Sequence, residues 1–193
     1  MDFKQIDKLI YKFEHLGKET TEAGVALIGK SPSRGKHAWL NKIYPTLNQY
    51  DIEELEKNIG DSIPGEYKHF LMNYSNGLSI LLSTFSLDGL RKQIGRSIEA
   101  SQQPYSLITP NKYERPENAK DHFFFIGGYN WDGSHLYIDK QTNEVHCCER
   151  YDATSRKSWP TLEVMIVSEI ERLYGLFDDN GIELDEDKAT IPY

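Results

Sequence analysis

Only two cysteines occur in the chain, and they are adjacent, Cys147 and Cys148. Neighbours on a strand point to opposite faces, which disfavours a disulfide between them, and the lack of any other pair suits a reducing compartment. No apolar run approaches the roughly 18 to 20 residues needed to cross a bilayer, so no membrane role is expected. The opening MDFKQIDKLIYKF scatters charges where a secretion signal has a basic start and an apolar block, and the expected location is the cytoplasm. Basic residues are outnumbered, 22 Lys and Arg against 30 Asp and Glu, for a net charge of −8. The deficit is uneven: residues 1–50 carry eight basic and five acidic side chains, the remainder fourteen and twenty-five. An acidic body disfavours direct nucleic-acid binding, which depends on neutralising phosphates, and suits a basic protein partner. Internal repeats and low-complexity tracts are also lacking.

What is present is enough for a packed core. Apolar residues make up 38% of the 193 positions and aromatics 12%, which predicts one folded domain with an appendage. Phe3, Ile6, Leu9, Ile10 and Phe13 fall at helical spacing and predict an amphipathic helix over 2–16. Residues 17–37, with several glycines and a Ser-Pro-Ser cluster, read as a flexible linker. Asp51 and Glu54 form a capping-box-like pair before Ile52, Leu55 and Ile59, and Gly60 suits a left-handed helix stop. Pro64 then opens a second helix with Tyr67, Phe70, Leu71 and Tyr74 on one face, ending at Asn76-Gly77. Leu78–Leu87 reads as a strand with a turn at Ser83-Thr84, and 88–104 as partly helical. Phe123–Ile126, His135–Ile138 and Val145–Arg150 predict an antiparallel meander, with turns at Asp132-Gly133 and 139–145. After Trp159-Pro160 an apolar face of Leu162, Met165, Ile166, Ile170, Leu173 and Leu176 predicts a closing helix, and the tail after it is acidic and expected to be mobile.

Several motifs invite chemistry. Gly24, Gly29, Lys30 and Ser31 satisfy the pattern of a phosphate-binding loop, which requires a buried strand before the glycines and a helix starting at Lys-Ser. Here HLGKETTEA precedes and Pro32-Ser33-Arg34-Gly35 follows, so the match reads as coincidence. Histidines 15, 37, 69, 122, 135 and 146 do not fall at ligand spacing, and His146-Cys147-Cys148 cannot supply three ligands from one strand face; no metal is expected. A cysteine nucleophile would need a histidine base such as His135 or His146 across a hairpin. Paired carboxylates such as Asp132 and Asp139 read as turn-forming or solvated. Tyr129, Trp131, Tyr137, Tyr151 and Trp159 cluster with Asp132, Glu149 and Asp152 between them, and aromatics are common interface anchors. Tyr129, Trp131, Asp132, Glu149 and Asp152 are the candidate partner-binding residues, with Trp131, next to a turn, the most exposed.

The order of elements LEKNIGDSIPGEYKHFLMNYSNGLSI, then FFFIGGYNWDGSHLYIDKQTNEV, then WPTLEVMIVSEIERL resembles the SUKH superfamily, which includes fungal cell-wall synthesis regulators and bacterial immunity proteins. The matching positions are Gly60, Ile63, Pro64, Tyr67, Phe70, Leu71, Asn76, Gly77 and Trp159. The resemblance implies an α+β fold: N-terminal helices packed on a mostly antiparallel sheet, closed by a C-terminal helix. Residues 49–177 would form that domain, 1–48 a helix and flexible extension, and 178–193 the acidic tail. It implies a non-enzymatic protein-binding module without cofactor, an immunity protein binding a cognate toxin domain, as a monomer or weak homodimer. The alternatives are a regulator or scaffold related to the cell-wall synthesis regulators and, less favoured, a nucleotide-dependent enzyme.

Overall fold

The structure, a computed structural model, describes residues 1–95 and 97–193. Asp2 caps α1 (Phe3–Ile10) by accepting from the Lys4 amide at 2.9 Å. The apolar stripe continues through a 3₁₀ turn at Tyr11–Leu16, burying Ile6, Ile10 and Phe13. Helix α2 (Gln49–Ile59) is capped by Asn48, which exchanges reciprocal hydrogen bonds of 3.1 Å with Asp51. Asp51 is therefore the third helical residue, not the cap, and the capping box joins Asn48 to Asp51 instead of Asp51 to Glu54. Gly60 stops this helix at φ +83°. Pro64 leads into α3 (Gly65–Asn73), whose Tyr67, Phe70 and Leu71 are fully buried.

Nine strands follow sequence order across one sheet among the described residues: β1 (Lys18–Thr20), β2 (Ala26–Lys30), β3 (Trp39–Ile43), β4 (Leu78–Ile80), β5 (Phe85–Leu87), β6 (Phe123–Tyr129), β7 (His135–Asp139), β8 (Val145–Glu149) and β9 (Asp152–Trp159). Every neighbouring pair is antiparallel. The flexible linker expected over 17–37 is thus corrected: it holds two strands and the approach to a third. The single strand expected over Leu78–Leu87 is two, joined by a turn in which Leu81, Leu82 and Ser83 all have positive φ. Of the stretch 88–104, α4 (Ile98–Ser101) is helical, and residue 96 lies outside the described residues.

Helix α5 (Leu162–Tyr174), capped by Thr161, contacts α1 and β9. The main core joins α1, α2, α3 and α5 to one face of the sheet, so the α+β architecture is as expected. The other face carries two smaller clusters, Phe123, Phe125, Tyr137, Cys148 and Ala153, and Val25, Leu27, Trp39 and Tyr44. Cys147 belongs to the main core and Cys148 to the far face, both as free thiols. The acidic tail, largely exposed, touches the body at Thr190, which is buried and whose carbonyl accepts from Arg172 at 2.6 Å. Among the described residues no helix is long and apolar enough to cross a membrane.

Candidate partner-binding surface

Antiparallel order brings the β4–β5, β6–β7 and β8–β9 turns to one end of the sheet. Ile80 pairs with Phe85, Phe85 with Tyr129, Gly128 with His135, and His135 with Cys148, making a continuous row just inside those turns. The second and third turns touch, because a side chain at Gly133 would come within 3.0 Å of Arg150 Cδ. Trp131 on one is 45% exposed and Tyr151 on the other 79%. The Arg150 guanidinium lies 5.2 Å over the Tyr151 ring and 3.6 Å from Glu114. Asp132 accepts from the Ser134 amide at 2.9 Å, and the exposed Tyr193 hydroxyl lies 3.5 Å from it. Glu149 holds Arg156, and Asp152, across the hairpin, accepts from Asn118 at 2.7 Å. Hydrogen bonds from the Thr154 side chain and amide and from Asn118 hold the Asp152 carboxyl down to about 2, so this group stays anionic throughout the physiological range.

Four of the five candidate residues therefore share one surface, and the fifth does not. Tyr129 is 3% exposed and donates through its hydroxyl to Glu169 at 2.9 Å. Glu169 is itself buried on α5 with Arg172 at 2.7 Å and Lys157 at 3.8 Å, so Tyr129 ties the sheet to the closing helix. Its assignment to the partner surface is corrected on that ground. Tyr137 and Trp159 are likewise core.

The family-motif residues build the scaffold behind this surface. Tyr67 donates to the carbonyls of Asp88 and Ile126, tying α3 to β6 and to the exit of β5. Asn76 exchanges hydrogen bonds with both backbone groups of Leu90, at 2.7 and 2.9 Å. Gly77 has φ +86°, and a Cβ there would collide with the Leu87 carbonyl, so the α3 exit needs glycine for both conformation and room. Ile63 and Trp159 complete the main core.

A cleft of about 470 Å³ opens beside the turns on the far face of the sheet. Gly127 and Gly128 supply its floor without side chains, and residues 105–114 form a wall held by Asn111, which bonds both the amide and the carbonyl of Phe125 at 2.9 and 2.7 Å. Asp88, Ser134 and His135 line it, and Gly133 and Arg150 stand at its mouth as well as on the turn surface. Asp88 is 7% exposed, and burial pushes its carboxyl up to about 7. Burial also lowers His135, keeping the ring neutral. Asp88 was not singled out in the sequence, although a lone carboxylate inside SILLSTFSLDGL is the signal that would have flagged it.

The phosphate-loop match takes a different form. Gly24 lies in the β1–β2 turn, while Gly29 sits in β2 at φ +73° with Phe13 Cβ and Leu40 Cδ1 both 2.9 Å from where its own Cβ would be. Lys30 lies 5.9 Å over the Trp39 ring, and Ser31 leads into a turn closed by Ser31 N to the Ala38 carbonyl. Lys30 and Ser31 thus lie at the end of a strand and in the turn after it, not at the start of a helix, so the glycines serve strand bending and close packing. His135 does pair with Cys148 across β7–β8, yet burial pushes the Cys148 thiol up to about 12 and raises Cys147 as well, the reverse of what activates a thiol. Among the described residues no group of three His, Cys, Asp or Glu side chains forms a metal-binding cluster.

Comparison with known proteins gives one family: the model of the SMI1 / KNR4 family (SUKH-1) matches residues 46–168. That span includes the cleft and the β6–β7 and β8–β9 turns, and omits β1–β3. No curated protein matches the chain.

Proposed function

Because the chain belongs to the SMI1 / KNR4 family (SUKH-1), we propose that it is a non-enzymatic protein-binding module, an immunity protein that neutralises a basic toxin domain by covering it. The observation that carries this reading is the joined pair of turns presenting Trp131 and Tyr151 amid Asp132, Glu149 and Asp152. Exposed aromatic rings next to fixed negative charge form the kind of surface that anchors a cationic partner: the rings supply buried area and the carboxylates supply steering and register. A toxin that grips phosphate, such as a nuclease domain, has the matching charge.

The test is to look for a toxin domain encoded beside this chain and to co-express the two. Growth is restored and the two proteins co-purify if the reading is right; failure of both overturns it for that pair. Replacing Trp131 and Tyr151 together with alanine should weaken the complex by roughly 2–4 kcal/mol, the range of interface anchors, while leaving circular dichroism and thermal unfolding unchanged because neither ring is part of the core.

A further inference from the structure

The cleft beside the turns holds two buried polar groups, Asp88 and His135, left without side-chain partners among the described residues. Asp88 follows β5 directly: its amide donates to the Ile126 carbonyl at 2.8 Å and its carbonyl accepts from Tyr67, but among the described residues nothing hydrogen-bonds or ion-pairs with its carboxylate. The neighbouring Arg91 is committed elsewhere, to the carbonyls of Pro104 and Ala100 at 3.0 and 2.9 Å. His135 Nε2, on the same cleft, is buried without a hydrogen-bond partner among the described residues. Glu169, the other buried carboxylate, is by contrast met by Arg172, Lys157 and Tyr129. Burying a carboxylate without compensation is costly, and a site that tolerates this is built to receive something.

Strain at the rim supports the same conclusion. Leu81, Leu82 and Ser83 have φ of +50°, +59° and +70°, each costing roughly 1–2 kcal/mol for a side-chain-bearing residue. The turn is held there by Asn41 to the Leu81 amide at 3.1 Å, by the Leu40 carbonyl to the Leu82 amide at 2.8 Å and by Thr84 Oγ1 to the Leu81 carbonyl at 2.7 Å. Such over-determined strain concentrates at ligand clamps. Here it places Ser83 on the cleft wall.

The chemistry of the lining selects the ligand. Arg150 is paired with Glu114 at the mouth and His135 is held neutral, so the Asp88 carboxylate sets the charge at the base of the cleft. We propose that this cleft receives a lysine ammonium or arginine guanidinium presented by the protein partner, with Asp88 as its counter-ion. The partner is favoured as the source because Gly133 and Arg150 belong to both the cleft mouth and the turn surface, so a protein seated on Trp131 and Tyr151 also reaches the opening. This inference rests on the protein-binding reading above.

The experiment titrates the full chain at pH 8 with ethylguanidinium and n-butylammonium as probes, followed by backbone amide shifts, and measures partner affinity for wild type and Asp88→Asn. Saturable shifts at Gly127, Gly128 and Ser134, weakened by roughly tenfold or more in Asp88→Asn, together with a similar loss of partner affinity, are expected. Neutral ethylurea should give none. Equal titration of both proteins, or no saturable shift, overturns the cation site. Probe uptake with partner affinity unchanged by Asp88→Asn overturns the partner as the source and points to a free amine. The two readings fail separately: probe uptake with no partner recovered keeps the cation site and sinks the protein-binding reading, and a partner that binds both forms equally, with no probe uptake, does the reverse.

Discussion

Asp88 shows how a single residue links stability to the candidate site. Burial raises its carboxyl to about 7, against an ordinary value near 4 in the unfolded chain. Between those two values the folded state binds more protons than the unfolded one, so stability falls as pH rises through the window, and the full penalty applies above it. The groups around it do not offset this: Tyr44 and Tyr67 are themselves raised by burial, Arg91 faces backbone carbonyls, and Glu114 and Arg150 pair at the mouth. Asp88→Asn should therefore raise the thermal midpoint by roughly 3 °C or more at pH 8 and by almost nothing at pH 4. An equal gain at both pH values, or a loss at pH 8, would show that the carboxylate is neutralised in some other way. At this scale the sequence was only partly legible. Trp131 was readable as exposed from its place beside an Asp-Gly turn, whereas Tyr129, two residues earlier, reads the same way locally but is core. The irregularity between Phe125 and Gly127 in the β6–β7 register decides which face each later residue takes, and nothing short-range announces it.

Among the elements, the helix pair α2–α3 was the most legible, because caps, stops and apolar periodicity act within a few residues. The cap still moved by three positions, from Asp51 to Asn48, since both residue types can serve and only the reciprocal bond chooses between them. The first three strands were the least legible. β1 is entirely exposed, and Gly29 at φ +73° interrupts the alternation of β2, so neither shows the period-two signature. Their contribution is nonetheless structural: β3 covers β4, and Ile6, Ile10, Phe13, Ile28 and Leu40 belong to the main core. A chain lacking residues 1–48 should therefore lose cooperative unfolding and expose the β4 edge to aggregation. Circular dichroism and size-exclusion chromatography check this, and a monomer with a sharp thermal transition would show that the family-matched segment is self-sufficient.

At the level of the whole molecule, an acidic body and a nine-stranded sheet with charged edges explain what the surface can and cannot do. The edge strands are short or polar: β1 carries Lys18 and Glu19, and β9 carries Arg156 and Lys157, features that discourage further strand pairing. The turn end presents exposed aromatics and fixed negative charge together. If a basic partner is steered there, its association rate should fall by at least tenfold between about 0.05 and 0.5 M salt, as the screening length shortens severalfold. Stopped-flow measurement of the identified complex decides it, and a rate independent of salt removes steering from the mechanism.

The sequence by itself determined the helix pair, the closing helix, the β6–β8 meander and, through their order, the family. Each of these rests on interactions between residues close along the chain: a cap, a helical stripe, a turn. Only the tertiary structure decided that residues 18–43 extend the sheet, that the tail touches the body at Thr190, that Tyr129 faces inward and that Asp88 lines a cleft with no side-chain partner among the described residues. Those outcomes depend on strand register and on segments far apart in sequence, such as 81–88 against 105–114 and 127–135. Burial is a property of what covers a residue: the apolar run around Asp88 marks it locally, but the cleft it lines is built from segments far along the chain.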